Sequence, residues 1–109
     1  MPAYAIAHLR SVDVGEDIMR YLAEIDATLE QYNGRFIVHG GQITVVEGDW
    51  PGNLVIVEFP DRERATAWYE SPEYRAILPL RTENSDSSAI IVDGVPPDYQ
   101  AKQLLESMG

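Results

Sequence analysis

Two apolar runs constrain this chain more than any other feature: Leu54-Val55-Ile56-Val57-Glu58-Phe59 and Ser88-Ala89-Ile90-Ile91-Val92. Each has the length of a strand, and each carries apolar side chains at both parities. Successive side chains of a strand point to opposite faces of its sheet, so both faces of the sheet holding these runs need a cover. A chain of 109 residues makes one ordinary domain. Its helical segments are too few to cover both faces.

The remaining elements follow from local signals. Tyr4 to Leu9 is a short mixed apolar run that predicts a strand. Ile18, Leu22, Ile25, Leu29 and Tyr32 recur at steps of four and three, one apolar stripe of a helix over roughly 14 to 33. Asp13 and Glu16 have capping-box spacing at its start, and Asn33-Gly34 supplies the stop. Arg35 to Val38 predicts a second strand, interrupted at Gly40-Gly41 by a bulge or bend. Extended structure is expected to resume over Ile43 to Glu47, and Gly48-Asp49-Trp50-Pro51-Gly52 has the residues of a hairpin loop.

After the strand at 54–59, Pro60 is a stop and Asp61 an N-cap for a helix through about Glu70. Ser71-Pro72-Glu73 starts another short helix, expected to reach Leu78 and to close at Pro79. Thr82 to Ser87 is expected to be polar loop, ahead of the last strand. Pro96-Pro97 is expected to break the chain, and Asp98 to cap a terminal helix carrying Tyr99, Leu104 and Leu105.

Strand, helix, strand, strand, helix, strand is the α+β order of a ferredoxin-like βαββαβ protomer with a four-stranded antiparallel sheet. Residues 1–95 would form this domain and 96–109 a C-terminal helical tail. Helices on one side leave the other face open. A second copy packing sheet on sheet would cover it, giving a homodimer. The alternative cover is the C-terminal helix folded back.

Composition narrows the function classes. The formal net charge is −10, so a polyanion would be repelled and neither nucleic acid nor an anionic membrane surface is an expected partner. There is no cysteine, which removes disulfides, thiolate nucleophiles and thiolate metal sites. The N-terminal apolar run is short and lacks a basic leader, and no run approaches the ~20 apolar residues of a membrane span, so a cytoplasmic location is the expectation. No GxSxG, phosphate loop, dinucleotide fingerprint or HExxH occurs in the sequence, and no metal or cofactor is expected.

The two histidines, His8 and His39, are the acid/base candidates. Both fall on predicted strands, where a hydrogen-bonded structural role is the competing reading. Gly40-Gly41 beside His39 would let a ligand approach, which makes His39 the stronger catalytic candidate. The densest segment runs from Trp68 to Arg81. Trp68, Tyr69 and Tyr74 supply apolar walls with polar tips, Ser71 a hydroxyl, and Arg81, with Arg35, a fork for a carboxylate. These residues suggest a pocket for a small aromatic or acidic molecule. Alternatively Trp68 and Tyr74 are core, while Arg75 and Arg81 pair with neighbouring glutamates. Trp50 on its loop suits an interface contact.

Gly34-Arg35-Phe36-Ile37-Val38-His39-Gly40-Gly41, Glu47-Gly48-Asp49-Trp50, Glu58-Phe59-Pro60, Ala67-Trp68-Tyr69 with Ser71-Pro72-Glu73-Tyr74, Leu80-Arg81 and Asp93-Gly94-Val95 together closely resemble domain-of-unknown-function family 1330. The resemblance spans about residues 3 to 95. It implies membership of the dimeric α+β barrel superfamily, hence a ferredoxin-like protomer forming a dimeric α+β barrel. Many members of the family carry Arg where His39 stands. The superfamily includes cofactor-independent oxygenases, muconolactone isomerases and haem-degrading enzymes. Three functions remain open: a cofactor-independent small-molecule enzyme or a degenerate one, a metabolite-binding module without turnover, and a purely structural homodimer.

Overall fold

The structure is a computed structural model that describes residues 1–108. Its elements are β1 (Ala3–Val12), α1 (Glu16–Leu29) continued by a 3-10 turn at Glu30–Tyr32, β2 (Arg35–His39), β3 (Asn53–Phe59), α2 (Arg62–Glu70), α3 (Pro72–Thr82), β4 (Ser85–Asp93) and α4 (Lys102–Met108). The strands form one sheet in the order β2-β3-β1-β4, with every neighbouring pair antiparallel. The protomer is α+β and ferredoxin-like, as its order of elements predicts.

The register divides the sheet cleanly into two faces. Ala5 of β1 lies between Val57 and Ile91, and Ala7 between Val55 and Ala89. This parity faces α1, α2 and α3, where Phe59, Trp68, Tyr74, Ile25, Leu29 and Ile77 are buried. The other parity holds Tyr4, Ile6, Leu54, Ile56, Ile90 and Val92. No helix covers it: Ile90 is 57% exposed and Val92 40%. α4 does not fold back, since all its described residues are exposed, including Leu104 and Leu105.

The helix ends show which local signals act. Asp61 Oδ1 accepts the Arg64 amide at 2.8 Å, and Ser71 Oγ accepts the Tyr74 amide at 3.2 Å, both N-caps as expected. The capping box does not form. α1 begins at Glu16 behind Gly15, with no side-chain cap, while the Asp13 amide donates to the Asn84 carbonyl at 2.8 Å. Asp13 is thereby held at the α3–β4 connection, ahead of the helix. At the other end Asn33, not Gly34, takes the left-handed conformation (φ 57°). Gly34 is needed for room, because a Cβ there would press on the Phe59 ring and Leu29.

Three further expectations are corrected. Pro79 does not close α3: the helix runs on to Thr82, and the Glu83 amide still donates to the Pro79 carbonyl at 2.9 Å. Proline forfeits its own bond to the Arg75 carbonyl. The last turn is held by Asn84 Nδ2 on the Leu80 carbonyl and Ser85 Oγ on the Arg81 carbonyl. Of the polar stretch 82–87 only Glu83 and Asn84 lie outside regular structure, since α3 ends at Thr82 and β4 begins at Ser85 opposite Val12. Ile43 to Glu47 forms no strand. β2 is the edge of the sheet, so this segment finds no ladder within the protomer, and Ile43, Val45 and Val46 are exposed. The connection is pinned further on, where His8 Nε2 bonds the Pro51 carbonyl at 2.7 Å and Trp50 stacks on the His8 ring at 4.1 Å. Gly52 (φ +84°) follows, where any Cβ would collide with the Leu9 carbonyl.

Candidate functional site

Between the inner face of the sheet and the helices lies a cavity of about 560 Å³. That is well inside the range of roughly 300–1,000 Å³ typical of small-molecule sites. Its floor owes its depth to small residues: Ala5 and Ala7 on β1 and Ala89 on β4. Its walls are Ile18, Tyr21 and Leu22 from α1 and Trp68, Tyr69 and Tyr74 from α2 and α3.

Five of the expected site residues border this cavity: His39, Trp68, Tyr69, Tyr74 and Arg81. Two stand elsewhere. Ser71 is consumed as a cap, its Oγ donating to the Trp68 carbonyl at 2.7 Å while accepting the Tyr74 amide. Arg35 lies on the outer parity opposite Glu58 and pairs with it at 2.9 Å. Trp68 and Tyr74 are core as well as wall, with 4% and 2% exposure. Trp68 Nε1 donates to Thr28 Oγ1 at 3.0 Å, and that hydroxyl donates to the Ile25 carbonyl. The Trp68 and Tyr74 rings lie 4.1 Å apart.

Tyr21 is the wall residue that the stripe on α1 missed. Its position, three after Ile18 and four before Ile25, lies on the same helical face and could have been read from the spacing. Its hydroxyl shares a 2.6 Å hydrogen bond with that of Tyr74 inside the protein. Burial pushes the Tyr21 phenol well above its ordinary pKa, and Tyr74 pushes it further, so it is a neutral hydrogen-bonding group at physiological pH.

Arg81 is the unusual charge. Arg10, Arg20, Arg35, Arg62 and Arg64 each pair with a carboxylate, and Arg75 lies 4.9 Å over the Tyr69 ring. Arg81 makes no ion pair among the described residues, although it is only 7% exposed. Its NH1 donates to Ser87 Oγ at 2.9 Å. Burial opposes its charge, but the Tyr74 and Tyr21 oxygens outweigh that, and the guanidinium stays protonated. Its place in the last turn of α3 adds the negative end of the helix dipole.

The histidines part company. His8 is held by the Pro51 carbonyl and Trp50, a structural role. His39 is exposed at the cavity rim, stacked on Phe36 at 4.4 Å. A register shift between Phe36 and Val38 turns both rings to the same face. His39 and Arg81 stand at opposite ends. His39 is on the β2 edge, while Ser87, the partner of Arg81, is on the β4 edge. Three interstrand spacings separate those edges, about 14 Å. Among the described residues no group of three or more His, Cys, Asp or Glu is placed to hold a metal ion, and no helix is long and apolar enough to cross a membrane.

The order of strands and the single helical layer define a ferredoxin-like α+β protomer with a cavity beneath its helices. The chain belongs to the family described as Domain of unknown function (DUF1330), which matches residues 2–95. Solved structures agree on the fold. A protein of unknown function from Rhodopseudomonas palustris is 17% identical, with a TM-score of 0.65 over 88% of this chain and 84% of that one. A dimeric ferredoxin-like protein of unknown function from Jannaschia sp. is 13% identical, with a TM-score of 0.66 over 86% and 100%. SnoaB, a cofactor-independent oxygenase from Streptomyces nogalater, is 10% identical, with a TM-score of 0.53 over 91% and 96%. No curated protein matches the sequence.

Proposed function

We propose that the chain is a cytoplasmic, homodimeric small-molecule protein, and that its cavity takes an aromatic or acidic metabolite and turns it over without a cofactor. The carrying observation is Arg81, a buried cation with no counter-ion beside an apolar, aromatic-walled space. Only hydroxyl oxygens meet the guanidinium in the empty protein, and a ligand carboxylate would supply the counter-ion. His39 at the rim is the candidate general base, and the Tyr21–Tyr74 hydroxyl pair, with one proton left free by its own hydrogen bond, is the candidate donor to a developing oxyanion. The likeness in fold to a cofactor-independent oxygenase is consistent with this chemistry. Residues 1–95 form the functional unit in this reading, and 96–109 are an appended tail.

The uncovered outer face argues for the dimer, since exposed apolar patches of this kind mark protein–protein contacts. The solved dimeric relative in fold agrees.

A thermal-shift screen of aromatic and carboxylic metabolites tests the reading. Binding stabilises the native state by mass action, so hits raise Tm further as ligand concentration exceeds Kd. A screen in which no compound shifts Tm overturns it.

The separation of His39 from Arg81 favours a second reading, binding without turnover. A ligand anchored at Arg81 needs no base at the far rim. If His39→Ala leaves affinity intact and no hit is ever consumed, the second reading replaces the first.

A further inference from the structure

The cavity has polarity along its length, and that polarity specifies a ligand shape. Arg81 marks one end, on the β4 side, with the Tyr21–Tyr74 hydroxyl pair nearby. Phe36 and His39 mark the other end, on the β2 side. Between them Val55, Ala7 and Ala89 form one cross-strand row with His39, and nothing in that row offers a hydrogen bond until the imidazole.

We infer that the cavity selects an elongated monocarboxylate: a phenylalkanoate or medium-chain alkanoate whose carboxylate meets Arg81 and whose apolar body lies over Ala7 toward Phe36 and His39. This rests on the reading of the cavity as a small-molecule site. Three observations carry it. First, the guanidinium is buried, charged and without a carboxylate partner among the described residues, so one anionic group is wanted at that end. Its planar fork matches a carboxylate through two parallel N–H bonds. Second, the space beyond is apolar and crosses the whole sheet, about 14 Å of strand spacing. A compact acid would satisfy Arg81 and leave the rest wet. Third, the second cation at the rim, Arg62, is exposed and already paired with Asp93. A dianion would therefore find no free guanidinium for its other end, only the exposed His39 imidazole, and a monoanion is preferred.

The chain carries a formal net charge of −10, so long-range attraction does not deliver the anion. Affinity must arise inside the cavity, where the low dielectric strengthens the Arg81 contact and the apolar body is desolvated. Binding is accordingly expected to change little with ionic strength.

The test is calorimetric titration of the intact protein with phenylalkanoates and alkanoates of graded length, each beside its primary amide. Affinity is expected to rise with chain length, reach a maximum and fall. Each acid is expected to bind roughly ten- to hundred-fold tighter than its amide, the range for a hydrogen bond to a charged group. Arg81→Gln is expected to erase the acid-over-amide preference while the length dependence persists. Ala7→Leu fills the floor and is expected to abolish binding of acids and amides alike while raising Tm, which also shows that this variant folds.

Amides binding as well as acids, or a preference that survives Arg81→Gln, would overturn the anchor and leave the small-molecule reading standing. Affinity that ignores chain length would overturn the span. If no compound of any class shifts Tm in the wider screen, the underlying reading fails as well.

Discussion

Tyr21 of α1 and Tyr74 of α3 meet hydroxyl to hydroxyl at 2.6 Å, across the seam between the two helices and away from bulk water. Each satisfies the other, and no buried side-chain polar atom among the described residues lacks a partner.

Removing one member leaves the other's hydroxyl short of a bond. Tyr21→Phe and Tyr74→Phe should each destabilise by about 1–3 kcal/mol. The double variant should cost less than the two singles together, because no orphan remains. Urea unfolding of the three variants measures this coupling. The same burial gives a pH signature. Folding holds Tyr21 neutral by raising its pKa, so its contribution is intact below the unfolded value of about 10 and declines as pH climbs past it. Wild-type stability should fall in that alkaline window more steeply than that of Tyr21→Phe.

Thr28 is a relay, accepting from the Trp68 indole and donating to the Ile25 carbonyl. Thr28→Val keeps the shape and strands the indole N–H, a loss of about 1–3 kcal/mol. In a Trp68→Phe background the same substitution should cost much less. Chemical denaturation of the four proteins reads out the difference; equal costs in both backgrounds would contradict the relay.

Arg81 rests on hydroxyl oxygens alone in the empty protein, with no carboxylate partner among the described residues. Arg81→Met removes a buried charge and keeps an apolar stem of similar length. Replacements of buried ions by apolar groups are often neutral or stabilising by about 1–4 kcal/mol. Calorimetry should find Tm unchanged or higher without ligand, and ligand stabilisation gone. A large fall in Tm would mean that Ser87 and the tyrosines already satisfy the guanidinium.

The open sheet face should be closed by a second protomer. Ile90 is 57% exposed on β4, and Ile90→Glu places a charge in that surface. Sedimentation should then change from dimer to monomer at concentrations where wild type stays paired. A monomeric wild type under those conditions would dismiss the assembly.

The architecture was legible because period-two and period-3.6 patterns are properties of the chain itself. The stripe from Ile18 to Leu29 and the runs at 54–59 and 88–92 each announce their element without knowledge of neighbours. The failures involve partners distant in sequence. Asp13 has the chemistry of a cap but is claimed by Asn84. Val45 and Val46 have the chemistry of a strand but find no ladder within the protomer. Pro79 breaks one bond, yet the helix beyond it is held by Asn84 and Ser85. In the site, residue types were informative and directions were not. Arg35 and Arg81 offer the same fork, and only the pairing of β2 with β3 turns the first outward to Glu58. The floor was invisible for a related reason: an alanine signals room only once larger neighbours are known to surround it.

One irregularity carries more of the site than its size suggests. Strict alternation along β2 would group Phe36 with Val38 and send His39 to the opposite side, where Glu58 and Ile56 point. The slipped ladder between Phe36 and Val38 reverses that assignment. Whether the imidazole borders the cavity or the open face of the sheet is thus decided by a single unpaired peptide at Ile37. Shortening this strand by one residue at Ile37 would move the ring from the cavity to the open face and leave the imidazole itself unchanged.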